Sequence, residues 1–333
     1  MVSDMRQGVI YTALLALLLM VGCADMPTYK RVDGSMLGTT YHVVARTHLS
    51  ERDIRGQLAL IDGRMRASMS LFEEGSLLSR LNAGSTDQVD EHIERNVAVA
   101  RRVHDISGGK YDITIKPLTD CYGFGGKSRV EHPNIDSLLD FVGMDKVQIV
   151  EGRLVKSDAR VQLDLNSIAK GYTVDRVSAW LEEQGCKEYI VEVGGEVRSR
   201  GQSPRGTSWR VAVDSPFEGN QTPGAYRQTV VDIGDASLAT SGNYRRYYTD
   251  SEGRKVVHTI DPQSGRSVLS RLLSATVVTR SCMVADALAT MFMAVGEEQA
   301  VALATQMRDS VRVYFVIAPH EGEEFEVFST LEE

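Results

Sequence analysis

Cysteine is scarce in this 333-residue chain, with four residues: Cys23, Cys121, Cys186 and Cys282. None stands in a C-x-x-C spacing, so neither a zinc site nor a disulfide framework follows. The last three read as core or surface thiols, with one disulfide pair left open in an oxidising compartment. A basic surplus is also missing. Lys and Arg number 37 against 45 Asp and Glu, a formal net charge of −8, which argues against a nucleic-acid footprint. There is no low-complexity tract, no heptad array and no repeat at solenoid spacing. No linker-like stretch divides the chain beyond its N-terminal segment, and its length suits one large domain or two intertwined lobes. The long apolar run at residues 9–20 is too short to span a bilayer comfortably.

That run has the length of a signal-peptide core. It ends in Met20-Val21-Gly22-Cys23, small residues followed by cysteine, which resembles a bacterial lipoprotein signal. The expected organisation is a signal peptide over 1–22, a lipidated Cys23 with a polar tether over 23–32, and one domain over 33–333. An ordinary secretory signal with an incidental cysteine is the competing reading. Lipidation places the protein in a bacterial cell envelope, anchored to the inner or outer membrane and facing the periplasm. Ala24, directly after the cysteine, is compatible with outer-membrane sorting.

Strand-like patterning opens the domain at residues 29–32 and 40–45, with Gly38 as the turn. Residues 50–66 and 91–106 carry helical periodicity. Ile93, Val97, Ala100 and Val103 form one stripe, and Gly108-Gly109 stops the second helix. A strand is expected over 160–165, leading into a helix over 167–184. Further strands are expected over 188–193, 209–213, 228–233, 255–260, 273–279 and 311–317, and helices over 285–295 and 298–307. The sum is an α+β (mixed α/β) chain, one large domain with a mainly antiparallel sheet flanked by helices.

Several segments carry the chemistry. In the late helix, Asp286 and Thr290 stand four residues apart, hence on one face, among small residues. A solvated helix face has the same pattern. So does a Mg²⁺ site, since that ion takes one or two carboxylates and fills its shell with water and phosphate. At Asp164-Leu165-Asn166-Ser167 a strand gives way to a helix, whose free N–H groups attract phosphate, and Lys170 adds positive charge in the first turn. Asn166 or Ser167 serves equally as an ordinary N-cap. Gly194-Gly195 is either a tight turn or a place for close ligand approach. His258 lies between β-patterned residues just before a Pro/Ser/Gly turn, a structural histidine or the natural proton acceptor near neutral pH. Phe72 and Tyr111 are core aromatics or walls for a flat heteroaromatic ring.

The order of these segments resembles the ApbE family, the FAD:protein FMN transferases, from about residue 30 to 318. The matching pieces are residues 37–39, 69–82, 111–114, 164–172, 194–195, 240–242, 258–265 and 285–290. The resemblance implies a T-fold-like domain that splits FAD at its pyrophosphate. It passes FMN to a Thr or Ser hydroxyl of a target protein and releases AMP, with Mg²⁺. It implies Ser167, Asp286 and Thr290 as metal ligands. Ala289 stands where some members carry a second acidic residue, which leaves more of the shell to water. The flavin and adenine parts of FAD are implied to rest on Leu37, Phe72, Lys110, Tyr111, Asp112, Asp164, Lys170 and Ile260. Lys116 replaces a usual glycine. No nucleophile is needed in the chain, because the acceptor supplies it. His258 is the first choice for activating that hydroxyl and Asp286 the second. Acceptor domains of membrane redox complexes are the expected partners. The rival readings are a Mg²⁺-dependent FAD pyrophosphatase, with water in place of the acceptor, and a flavin-binding lipoprotein without turnover.

Overall fold

The computed structural model describes residues 26–331 apart from 218, 221, 223 and 320–323. The expected signal segment and Cys23 lie outside the described residues. The chain opens with a hairpin of β1 (Thr28–Met36) and β2 (Thr39–Thr47). Helices α1 (Glu51–Met69), α2 (Leu77–Asn82), α3 (Glu91–Ile106), α4 (Lys116–Cys121) and α5 (Ile135–Leu139) follow. The small hairpin of β3 (Val147–Val150) and β4 (Arg153–Lys156) precedes α6 (Ala169–Glu183). Next come β5 (Tyr189–Val193), β6 (Glu196–Arg200), β7 (Arg210–Asp214), β8 (Arg227–Asp232), β9 (Ser237–Gly242), β10 (Tyr247–Thr249), β11 (Lys255–Val257) and β12 (Leu272–Thr279). The chain ends with α7 (Cys282–Val295), α8 (Glu297–Gln306), β13 (Arg312–Ile317) and β14 (Glu326–Ser329).

Eight strands form one sheet in the order β1-β2-β5-β6-β9-β12-β13-β14, and every neighbouring pair is antiparallel. Alternation along the strands gives the sheet two apolar faces. On one, Val43, Val191, Ala239 and Val277 meet helix residues such as Leu58, Ile93, Val177 and Phe292 in the main core. On the other, Val197, Leu238 and Val278 are covered by the β7–β8 hairpin through Trp209, Val213 and Val231. The β5–β6 turn is Gly194-Gly195, with φ of 61° and 102°. A two-residue hairpin loop of this hand needs positive φ at both positions, which glycine adopts without a Cβ penalty.

Several sequence-based boundaries change, among them the strand expected over 255–260, which ends at Val257. Residues 28–32 belong to β1 and pair with β2, so they are sheet rather than tether. The strand expected over 160–165 is absent apart from an isolated bridge between Ile115 and Gln162. The buried Asn82 amide takes its place, donating to the Leu163 carbonyl at 2.8 Å and accepting from the Leu163 N–H at 2.7 Å. One side chain thus satisfies backbone groups that a ladder would otherwise pair. The helix expected from 167 starts at Ala169, with Ile168 as its N-cap residue.

Candidate active site

Two helices set the geometry by capping each other. Ile168 makes no side-chain cap at the start of α6, and neither Asn166 nor Ser167 plays that part. The Asp286 carboxylate on α7 instead accepts the Gly171 N–H through Oδ2 at 2.9 Å. Asp175 on α6 reciprocates: it accepts from Ser281 Oγ, Cys282 N and Met283 N at 2.7, 3.1 and 3.0 Å, at the start of α7. Carboxylates at helix N-termini satisfy orphan N–H groups and complement the helix dipole. Gly171 makes the close approach possible. A Cβ there would lie 2.3 Å from the Cys282 carbonyl oxygen and 2.8 Å from Asp286 Cβ.

The start of α6 and the Asp286–Thr290 face of α7 border a cavity of about 440 Å³. Its walls include Lys110, Tyr111, Asp112 and Phe124, then Asp164, Asn166, Ser167 and Lys170, Gly195-Glu196, most of strand β7, the end of β9, and His258 to Ile260. Hydroxyls join across it: Tyr111 OH to Ser167 Oγ at 2.9 Å, and Ser241 Oγ to Thr290 Oγ1 at 3.2 Å. Lys170 Nζ forms an ion pair with Glu196 Oε1. Lys110 pairs with Asp261 at 2.8 Å, which ties one wall to the turn after His258. His258 Nδ1 lies 3.3 Å from the Arg246 carbonyl. A carbonyl only accepts, so this contact puts the proton on Nδ1 and leaves the lone pair on Nε2.

Burial and charge shift these groups in a definite pattern. Burial raises the Asp286 carboxyl, against the pull of Lys170 and the Gly171 N–H. Burial pushes Glu196 up to about 8, although Lys170 draws it down. Burial works against the charge of Lys170, but the Glu196 and Asp286 carboxylates outweigh it and hold the ammonium protonated. His258 falls to about 4 through burial and the positive charges of Arg246 and Lys170, so its imidazole is neutral at neutral pH.

Ten of the twelve residues singled out for the active site line this cavity: Lys110, Tyr111, Asp112, Asp164, Ser167, Lys170, His258, Ile260, Asp286 and Thr290. Leu37 and Phe72 do not. Leu37 packs against the main core at φ 51°, with its N–H on Asp62 Oδ1 at 2.9 Å. Phe72 is 72% exposed, with its ring beside Gly126. Two of the ten border the cavity with carboxylates already in use. Asp112 accepts from Thr114 N and Met144 N, and Asp164 accepts from Asn166 N and Thr119 Oγ1. Lys116 is buried outside the cavity, paired with Asp120 at 2.6 Å. Lys170 has Glu196 as its partner, so its place in the first turn does not by itself require an anion. Glu196, Ser241 and Arg246 were not singled out as site residues, yet they line the cavity. The signal for Glu196 was its position straight after a two-glycine turn; strand pairing across that turn supplies the rest.

A profile of the ApbE family matches residues 37–315. The chain belongs to the ApbE family. It is 31% identical over 320 residues to a Vibrio cholerae protein named FAD:protein FMN transferase, spanning 93% of this chain and 94% of that one. A Haemophilus influenzae protein of the same name is 31% identical over 334 residues, covering 95% and 93%. The solved structure of the flavin transferase ApbE from Vibrio cholerae matches with a TM-score of 0.81 at 29% identity, over 91% of this chain and 97% of that one. The apo flavinyl transferase ApbE of Pseudomonas stutzeri gives 0.77 at 30% identity, over 92% and 97%. The shared architecture is the single domain with a large antiparallel sheet flanked by helices.

Proposed function

We propose that this family member transfers FMN from FAD to a Thr or Ser hydroxyl of a protein acceptor and releases AMP. The observation that carries the reading is the meeting of the Asp286–Thr290 face of α7 with the α6 start and Lys170 in one cavity. A diphosphate needs positive charge, and Lys170 in the first turn of α6 supplies it at the cavity wall.

Mg²⁺ fits the donor set. Asp286 spends one oxygen on Gly171 N, and the hydroxyls of Ser167 and Thr290 face the same space. Among the described residues no three or more His, Cys, Asp or Glu side chains converge as a metal cluster. A hard ion with one carboxylate, hydroxyls, water and phosphate oxygens does not need such a cluster. When bound, the ion supplies charge neutralisation for the oxygens of the diphosphate.

The acceptor hydroxyl oxygen attacks the phosphorus on the FMN side. The bond from that phosphorus to the bridging oxygen breaks, and AMP leaves with the oxygen. The hydroxyl proton passes to Nε2 of His258, which is neutral and has its lone pair free. Lys170 holds the diphosphate oxygens during the step.

The test is mass spectrometry of a Thr-containing acceptor peptide after incubation with FAD, Mg²⁺ and the protein. A gain of one FMN on the Thr supports transfer. An unmodified peptide beside accumulating FMN and AMP assigns the site to hydrolysis, and FAD held without AMP release assigns it to storage. Envelope anchoring through Cys23 and acceptors in membrane redox complexes complete the proposal, supported by residues 9–23 of the sequence. Cys23→Ser is expected to move the protein from the membrane to the soluble fraction.

A further inference from the structure

Glu196 is 3% exposed and begins β6, where register with Val193 across the Gly194-Gly195 turn fixes it. Its Oε1 pairs with Lys170 Nζ. Its Oε2 is buried, has no hydrogen-bond partner among the described residues, and belongs to a residue that lines the cavity. Buried carboxylate oxygens are usually hydrogen-bonded; this one is left without a partner beside the site. The glycine turn makes room for the lysine stem. A Cβ on Gly194 would come 3.4 Å from Lys170 Cδ and 2.7 Å from Thr39 Cγ2. The Lys170 ammonium therefore has two carboxylates within electrostatic reach, Glu196 and Asp286, and it contacts Glu196.

We propose that Glu196 is a positioning residue that holds the Lys170 ammonium away from Asp286 and so keeps that carboxylate open to a divalent cation. This rests on the Mg²⁺ reading of the site. An ammonium on Asp286 and a metal ion on Asp286 exclude one another by charge and by space. In the pair that the structure shows, the ammonium is engaged by Glu196 and not by Asp286. Replacing Glu196 by Gln removes that engagement and lets the lysine turn toward Asp286. Replacing Lys170 as well removes the competing cation.

The experiment is direct Mn²⁺ binding followed by electron paramagnetic resonance, without FAD, on the wild-type chain, Glu196→Gln, Lys170→Met and the double variant. Glu196→Gln is expected to weaken Mn²⁺ binding by on the order of tenfold or more, the range for residues that act through a ligand. Lys170→Met is expected to bind at least as well as wild type, and the double variant to recover to within about threefold of wild type. Glu196→Asp, which keeps the charge, is expected to retain most of the affinity and guards against a folding defect. Unchanged affinity in Glu196→Gln overturns the inference while the metal reading stands. A double variant as weak as Glu196→Gln also overturns it, because the loss then does not pass through Lys170. A wild-type chain that binds no Mn²⁺ removes the metal reading and this inference together.

Discussion

His258 and Asp286 face the cavity for different reasons. Asp286 was legible from its helical spacing with Thr290, and the face that the i,i+4 rule put together is the face that meets the cavity. His258 was legible only as a histidine before a turn; its neutral state comes first from burial and then from Arg246 and Lys170, which are distant in sequence or out of pattern. His258→Ala is expected to lower the FMN transfer rate by roughly 10²–10⁴-fold, the usual span for a lost general base, with FAD binding retained. In the ligand-free protein, an NMR titration is expected to place the His258 midpoint near 4 rather than at an ordinary histidine value. The folded state then binds fewer protons than the unfolded one between that midpoint and the unperturbed value. Stability contributed by His258 is thus present above the unperturbed value and lost as pH falls through the folded one. Leu37 and Phe72 show where residue-level reading stopped. An apolar residue at a turn and an aromatic beside polar groups look alike in sequence whether they face a ligand, the core or water.

At the scale of elements, α3 emerged with the bounds its periodicity predicts, Glu91–Ile106, because an amphipathic stripe with Asp90 as a cap is a local signal. The segment 160–165 did not become a strand, because the buried Asn82 side chain satisfies its backbone. Neither Asn166 nor Ser167 became the cap of α6, because Asp286 reaches across from α7. That reciprocal capping makes the α6–α7 pair a unit. Asp175→Ala is expected to destabilise the fold by about 2 kcal/mol, the size of a lost charged cap, measurable by denaturant unfolding. Gly171→Ala pushes a methyl group against the Cys282 carbonyl and Asp286 Cβ. An overpacked contact of this kind costs about 1–3 kcal/mol. It is also expected to lower transfer activity, since it moves the carboxylate that faces the cavity. A stability loss without a loss of activity would separate the helix contact from the site.

Across the whole molecule, the cavity is assembled by the fold of the sheet. β6 and β9 are adjacent although β7 and β8 lie between them in sequence, and that insertion becomes the hairpin that covers the second face of the sheet and walls the cavity. β9 reads Ser-Leu-Ala-Thr-Ser-Gly, a poor strand signal by composition, yet it sits centrally in the sheet. The small residues suit close packing of α7, which is itself rich in alanine. The disulfide that composition left open does not form among the described residues: Cys121, Cys186 and Cys282 are all free and buried. Thiol reagents are therefore expected to modify these three only on unfolding, and reductant to leave the melting temperature unchanged. Rapid labelling in native buffer would contradict that arrangement.

By itself, the amino-acid sequence determined which chemistry is available: a carboxylate and hydroxyl one helical turn apart, a glycine pair, a helix start with a lysine, and an acidic chain unsuited to nucleic acid. Periodicity and spacing act over a few residues, so they reach that far. Tertiary structure decided what each group does. It gave Lys170 the Glu196 carboxylate, gave α6 the cap it lacks locally, lowered His258 through burial and neighbouring cations, and left Leu37 and Phe72 outside the cavity. Those outcomes depend on burial and on partners far apart along the chain, and only the packed sheet and helices bring them together.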